Sequence, residues 1–216
     1  MGIIATKRWR YRGIPIELIL KLKSISNYNN FIETGTYLGK TTKWASKYFN
    51  TVFTIEASFE FYKNLNFKKY LNIVSIFGNS IDHLKFTLNE CSIIYLDAHY
   101  SGGDTYNSYP LLDEIDIINN SNFDHIIIID DARFCLSLFT DEQYTTISDL
   151  CLKFHNIKFH KYIVVFDDMI IITPYKYKNT IDDYTNKISK KYFNDYIFAK
   201  NPIKYFFKKL FNAFLV

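Results

Sequence analysis

Apolar residues in this chain come in short blocks that alternate between two spacings. Phe31-Ile32, Val52 to Ile55, Asn72 to Phe77, Ser92 to Leu96 and Ile126 to Ile129 are runs of strand length, rich in β-branched and aromatic side chains. Between them, apolar positions recur at three- and four-residue steps. Trp44, Ala45, Tyr48 and Phe49 form one such set, Phe59, Tyr62 and Leu65 a second, and Leu111, Leu112, Ile115 and Ile118 a third, behind Pro110. Strand and helix therefore alternate from residue 30 onward, which predicts parallel strands with helices on both faces of the sheet. Ile126 to Ile129 is apolar without interruption, as expected of a strand covered on both sides. Farther on, Thr146 to Phe154 reads as helix, and the runs Phe159 to Phe166 and Met169 to Thr173 are joined by Asp167-Asp168 in an antiparallel hairpin. The expected architecture is α/β, a Rossmann-like, seven-stranded, mostly parallel sheet with an antiparallel terminal hairpin.

The ends of the chain follow different patterns. Residues 1–29 comprise an arm carrying Lys7, Arg8, Arg10 and Arg12 around Trp9 and Tyr11, then a short helix over 15–25. The arm is either a solvated strand of basic residues or a lid whose arginines meet an anionic substrate. Gly13-Ile14-Pro15 breaks the apolar stretch that a signal peptide would need after its basic residues. Residues 30–175 form the expected core domain, and residues 176–216 an extension with little periodicity before Tyr192. Its last part is different: Ile203, Phe206, Phe207, Leu210, Phe211, Phe214 and Leu215 lie at helical steps with Lys204, Lys208 and Lys209 between them. That basic amphipathic helix is too short to span a bilayer. It packs on the domain or a second subunit as a homodimer contact, or rests on a membrane surface.

Composition narrows the picture only a little. With 216 residues, 48% hydrophobic and 22% charged, the chain suits one domain with a full core. A net charge of +4 spread along the chain does not call for nucleic acid as a partner. The three cysteines, Cys91, Cys135 and Cys151, are odd in number and lack metal-type pairing, which fits a reduced, cytoplasmic setting.

The chemistry concentrates where the predicted parallel strands end. Glu33-Thr34-Gly35-Thr36-Tyr37-Leu38-Gly39 joins the first strand to its helix, and Glu56 stands at the tip of the second strand. Such a β-α-β unit lets backbone approach a ligand at the glycines, and its acidic tip accepts hydrogen bonds from ribose hydroxyls. The loop lacks the G-x-G-x-x-G that a pyrophosphate requires, which speaks against a dinucleotide. The carboxylate of Glu33 favours a cofactor carrying positive charge, such as S-adenosylmethionine. After the third strand, Asn79 is placed to meet an adenine edge or to make an ordinary turn, with Ser80 capping the next helix. The fourth strand delivers Asp97 and His99 into a loop containing Gly102, Gly103, Asp104 and Thr105. The fifth ends in Asp130-Asp131-Ala132-Arg133. Asp97 should therefore converge with Asp130 and Asp131, and such a group calls for a divalent cation, protons, or neutralisation by Arg133. His99 is placed either as a general base or as a loop residue stacking or capping locally.

FIETGTYLGKTT, FTIEAS, FGNS, IIYLDAHYSGGDT and IIIIDDAR, in that order over residues 30–135, resemble a bacterial group of class I S-adenosylmethionine-dependent methyltransferases marked by LDAHYSGG. The resemblance implies Glu33, Thr34, Gly35, Thr36 and Gly39 around the methionine end of the cofactor. It further implies Glu56 on the ribose and Asn79 and Ser80 near adenine; Asp97 falls beside the cofactor, and Asp97 and His99 are the catalytic candidates on their position and chemistry. Similarity to the metal-dependent O-methyltransferases implies Mg or Mn held by Asp97, Asp130 and Asp131, although the glycine-rich continuation after Asp97 departs from those families. Related sequences occur with enzymes of surface polysaccharide (capsule) biosynthesis. That implies O-methylation of a small anionic or sugar-type acceptor, such as a nucleotide sugar or a phosphoramidate, at the inner face of the membrane or elsewhere in the cytoplasm. The alternative is a nucleotide- or glycan-binding module of the same fold without catalysis.

Overall fold

The structure, a computed structural model, describes residues 13–98, 109–136, 145–155 and 157–200. Its first helix, α1 (Ile16–Ser24), leads into β1 (Asn30–Thr34), α2 (Lys40–Ala45), β2 (Thr51–Glu56), α3 (Phe59–Tyr62), β3 (Ile73–Phe77), α4 (Ser80–His83) and β4 (Ser92–Leu96). Then follow α5 (Leu111–Asn119), β5 (Ile126–Ile129), α6 (Arg133–Leu136), α7 (Ile147–His155), β6 (Lys161–Phe166), β7 (Met169–Pro174) and α8 (Lys178–Lys200). The seven strands form one sheet in the order β3-β2-β1-β4-β5-β7-β6. β1 to β5 run parallel, and β7 lies antiparallel to both β5 and β6, so the expected sheet with its terminal hairpin is present.

The uninterrupted apolar strands are explained by two cores. Phe31, Ile93, Tyr95, Ile126, Ile128 and Ile171 face α1, α2 and α8, where Leu18, Ile19, Leu22, Ala45, Ile181, Tyr184 and Ile188 are buried. Their neighbours Ile32, Ile94, Leu96, Ile127, Ile129, Ile170 and Ile172 face the other layer, with Leu84, Leu111, Ile115, Ile118 and Leu150. Side chains alternate between faces along a strand, so β4, β5 and β7 are buried at every position and apolar at all but the buried Ser92 and Thr173. Residues 178–200 depart from the sequence reading, because they form one 23-residue helix. Among the residues of this helix whose side chains are described, 178–194, the buried apolar ones are Ile181, Tyr184 and Ile188. One apolar residue per turn suffices when the helix lies along a sheet already coated by α1.

His125, just before β5, accepts from the Ser92 N–H at Nδ1 (3.2 Å) and meets Ser121 Oγ at Nε2 (2.9 Å). Burial, with Lys161 nearby, lowers its pKa to about 4, so it packs as a neutral ring. Among the described residues no helix is long and apolar enough to cross a membrane, and Cys91, Cys135 and Cys151 are free thiols. The basic arm and the tail helix lie outside the described residues.

Candidate functional site

Hydrogen bonds continue the sheet past the strand ends and draw the candidate residues into one line. Gly78 N–H donates to Glu56 O (2.9 Å), Gly35 N–H to Ile55 O (3.0 Å), Asp97 N–H to Thr34 O (3.1 Å) and Asp130 N–H to Leu96 O (3.0 Å). The carboxyl edge of the parallel strands, where ligands gather in open α/β sheets, therefore carries Gly78, Glu56, Gly35, Asp97 and Asp130 side by side. The β6–β7 turn returns to the same edge, because β7 is antiparallel to β5 and Ile170 pairs with Ile129.

Gly35 is fixed by space as well as by conformation. Its φ is +81°, and a Cβ there would stand 2.4 Å from the Asp97 carbonyl oxygen. Only glycine lets the β1–α2 loop lie this close to the end of β4. Gly39, at φ +67°, caps α2 from the left-handed region, with the Phe67 ring where a Cβ would go. Tyr37 is also left-handed, at φ 49°, and its ring packs edge-on against Phe61. Its N–H donates to Glu56 Oε2 (2.7 Å), while Ser58 N–H donates to Glu56 Oε1 (2.8 Å). Glu56, 7% exposed, is thus aimed by two loops, and each oxygen keeps a lone pair for a further donor.

Glu33 turns inward. Its Oε2 accepts from Thr42 Oγ1 of α2 (2.5 Å) and Thr54 Oγ1 of β2 (2.9 Å), and Thr36 Oγ1 meets Thr54 Oγ1 at 2.6 Å. Burial pushes the Glu33 carboxyl up to about 7 against the pull of those hydroxyls. In this geometry Glu33 and Thr36 tie the loop to α2 and β2. Asn79 Oδ1 accepts from Ile81 N–H (3.3 Å), which caps α4.

One buried carboxyl has no distinct signal in the sequence, because its helix reads as ordinary amphipathic. Glu114 of α5 is 1% exposed. The hydroxyls of Ser80 and Thr34 lie near enough to pull its pKa down, but burial prevails and raises it to about 7. Glu114 Oε1, Ser80 Oγ and Thr34 Oγ1 are all buried without a hydrogen bond of regular geometry. The ends of β1 and α4 thus present polar atoms with bonding capacity to spare, as a site for a polar ligand would.

At the other end of the edge is a cluster of carboxylates. Asp97 is driven well above the usual carboxylate range by burial and then by Asp130, Asp131 and Glu33. Burial also raises Asp130, whose Oδ2 accepts a short hydrogen bond from Tyr95 O–H and whose Oδ1 accepts from Asp131 N–H (2.9 Å). Asp131, at φ 56°, pairs with the Arg133 guanidinium, which also pairs with Asp168 of the β6–β7 turn. Arg133 N–H donates to Asp168 Oδ1 (3.0 Å) and Ala132 N–H to Asp168 O (2.8 Å). The fold brings Asp97, Asp130 and Asp131 to one edge with Arg133, the neutralising residue that the sequence offered, and adds Tyr95 and Asp168. A cue existed for Asp168, since an antiparallel hairpin beside β5 must turn at the ligand edge. Among the described residues no group of three or more His, Cys, Asp or Glu is arranged to hold a metal. His99, Gly102, Gly103, Asp104 and Thr105 lie outside the described residues.

The Arg133 clasp has a measurable consequence. Asp168→Ala removes both acceptors and leaves a partly buried guanidinium with one partner, so stability should fall by about 2–3 kcal/mol. Urea unfolding should show a lower midpoint with an unchanged slope.

No family model matches the sequence, and no curated protein is similar to it at the sequence level. The fold, in contrast, has solved counterparts. An O-methyltransferase from Bacillus cereus, in complex with S-adenosylhomocysteine, aligns with TM-score 0.53 and 17% identity over 78% of this chain and 84% of its own. The chain has the class I methyltransferase fold. A putative methyltransferase from Streptococcus mutans, also in complex with S-adenosylhomocysteine, aligns with TM-score 0.51 and 15% identity over 75% of this chain and 98% of its own. The N-methyltransferase NodS from Bradyrhizobium japonicum gives TM-score 0.51 and 14% identity over 74% and 93%. O- and N-methyltransferases share this methyltransferase fold, so the accepting atom is set by the site and not by the architecture.

Proposed function

We propose that the protein is an S-adenosylmethionine-dependent O-methyltransferase. The observation that carries the reading is the line of Glu56, Gly35 and Asp97 along the carboxyl edge of a class I methyltransferase sheet, with Gly35 packed on the Asp97 backbone. When bound, S-adenosylmethionine supplies an electrophilic methyl carbon on a sulfonium. Glu56 is the group to accept from the ribose hydroxyls, its carboxylate already aimed by Tyr37 and Ser58 N–H. Gly35 keeps the loop backbone open beside Asp97, and Glu33, Thr36 and Gly39 hold that loop's shape. Thr34 and Ser80 bring buried hydroxyls to the adenosine side, where Asn79 fixes the start of α4.

Methyl transfer is chiefly a matter of alignment, and the proton of a hydroxyl acceptor must have somewhere to go. Asp97 is suited to take it, because burial and neighbouring carboxylates raise its proton affinity. His99, two residues on, is the second candidate base. The divalent ion implied by the sequence resemblance does not fit the donor set found here, where Arg133 and Tyr95 already engage Asp131 and Asp130. The acceptor we propose is small and anionic or sugar-type, of the kind used in surface polysaccharide assembly. The support is the sequence resemblance and the basic residues Lys7, Arg8, Arg10 and Arg12.

Methyl-labelled S-adenosylmethionine, offered with sugar phosphates, nucleotide sugars and neutral sugars, tests this. Label is expected on a hydroxyl of an anionic acceptor. Cofactor binding with no label transferred to any acceptor would favour a binding module of the same fold.

A further inference from the structure

We propose that Arg133 is the resident cation of the carboxylate cluster, and that this edge of the protein works without a divalent metal. Four carboxylates, Asp97, Asp130, Asp131 and Asp168, stand at the ends of β4 and β5 and in the β6–β7 turn, along one edge of the sheet. Like charges so placed require compensation, and hard oxygen donors would ordinarily draw a Mg²⁺ or Mn²⁺ ion that takes six of them. The chain fills that need from within. The Arg133 guanidinium pairs with Asp131 and with Asp168 through the same nitrogen, NH1, so it bridges the two strand-end segments as a metal would.

The local backbone is shaped for this arrangement. Asp131 adopts a left-handed φ of 56°, unusual for a non-glycine residue, and Phe134 N–H closes back onto Asp131 O (2.9 Å). The tight turn brings the side chain of Arg133 back over the residue two before it. Asp168 is 1% exposed and gives one oxygen to the Arg133 N–H and the other to its guanidinium. Asp130 is equally committed, with Tyr95 O–H on one oxygen and Asp131 N–H on the other. An incoming ion would have to displace a guanidinium, a phenol and backbone donors. The Arg133 side chain remains 33% exposed, so the cation it contributes stays within reach of the open edge.

This inference concerns the cluster itself and stands or falls separately from methyl transfer. Its test is calorimetric titration of MnCl₂ into the full-length protein and into Arg133→Met, each followed by thermal unfolding with and without Mn²⁺. Wild type should give no binding heat and no shift in melting temperature, while Arg133→Met should bind Mn²⁺ at least tenfold more tightly and regain stability on binding. Arg133→Lys guards against a Met variant that fails to fold, since it keeps a cation and should remain without Mn²⁺ affinity. Mn²⁺ binding by wild type that is lost in Asp130→Asn or Asp131→Asn would overturn the proposal. So would equal Mn²⁺ affinity in wild type and a folded Arg133→Met.

Discussion

Gly35→Ala should be among the most damaging single-methyl changes in the chain. The new Cβ would lie 2.4 Å from the Asp97 carbonyl oxygen and 2.8 Å from its carbonyl carbon, both backbone atoms that cannot rotate away. It would also place a side chain at φ +81°, where L-residues are disfavoured by about 1–2 kcal/mol. Relief requires the β1–α2 loop and the end of β4 to part, at a further cost of about 1–3 kcal/mol for an overpacked site. The sum is about 2–5 kcal/mol, which in a chain of this size lowers the melting temperature by roughly 10 °C. Calorimetric melting of the variant checks the stability. The functional expectation is sharper, because the same displacement moves Asp97 away from the loop: cofactor affinity should fall even at temperatures where the variant is folded. Unchanged melting and unchanged affinity would show that the loop does not pack on β4 as described.

The second large effect is on the pH dependence of stability. Glu33 and Glu114 are both buried, and each has its carboxyl raised from 4.5 to about 7. Below pH 4.5 both are protonated in the folded and unfolded chain alike. As pH rises from there to about 7 the unfolded chain has released protons that the folded one still holds, so stability falls and then levels off. His125 acts in the opposite sense: its pKa is lowered to about 4, so its contribution is lost as pH falls from 6.5 toward 4. In the shared window one histidine offsets one carboxyl, and a net decline with rising pH remains. Glu114→Gln removes one carboxyl while keeping its shape, and its amide supplies donors beside Ser80 and Thr34. Its advantage over wild type should grow by about 3 kcal/mol between pH 4.5 and 8, at 1.36 kcal/mol per pKa unit. Parallel urea titrations across that range would show it. Parallel stability curves for the two proteins would mean that Glu114 is not buried as a neutral acid.

These two expectations also mark how far the sequence alone reaches. The sheet is legible because β4, β5 and β7 carry unbroken apolar runs, Ile93 to Leu96, Ile126 to Ile129 and Met169 to Ile172, a pattern that burial on both faces explains. The meeting of Asp97 with Asp130 is legible too, since consecutive parallel strands end at one edge. Helix α8 is not, because the buried Ile181, Tyr184 and Ile188 make too narrow a stripe over residues 178–194 to stand out from a polar segment. Tyr95 is hidden for a different reason: in a strand buried on both faces, a tyrosine reads as one more apolar residue until its hydroxyl is seen on Asp130. Glu33 shows the converse. Its position announces a ligand contact, whereas its carboxylate bonds to the hydroxyls of Thr42 and Thr54, partners that lie nine and 21 residues away. Which hydroxyl turns toward which carboxylate is decided by packing between elements, and spacing along the chain does not encode it.

The central claim is that the edge formed by Glu56, Gly35 and Asp97 holds S-adenosylmethionine, and calorimetric titration with S-adenosylhomocysteine tests it most directly. Wild type should bind one equivalent, and Glu56→Ala, which removes the carboxylate offered to the ribose, should weaken binding by at least about tenfold, the loss of a charge-assisted hydrogen bond. Circular dichroism of the variant would show that the fold is retained. Absence of binding to wild type, or binding that Glu56→Ala leaves unchanged, would contradict the account.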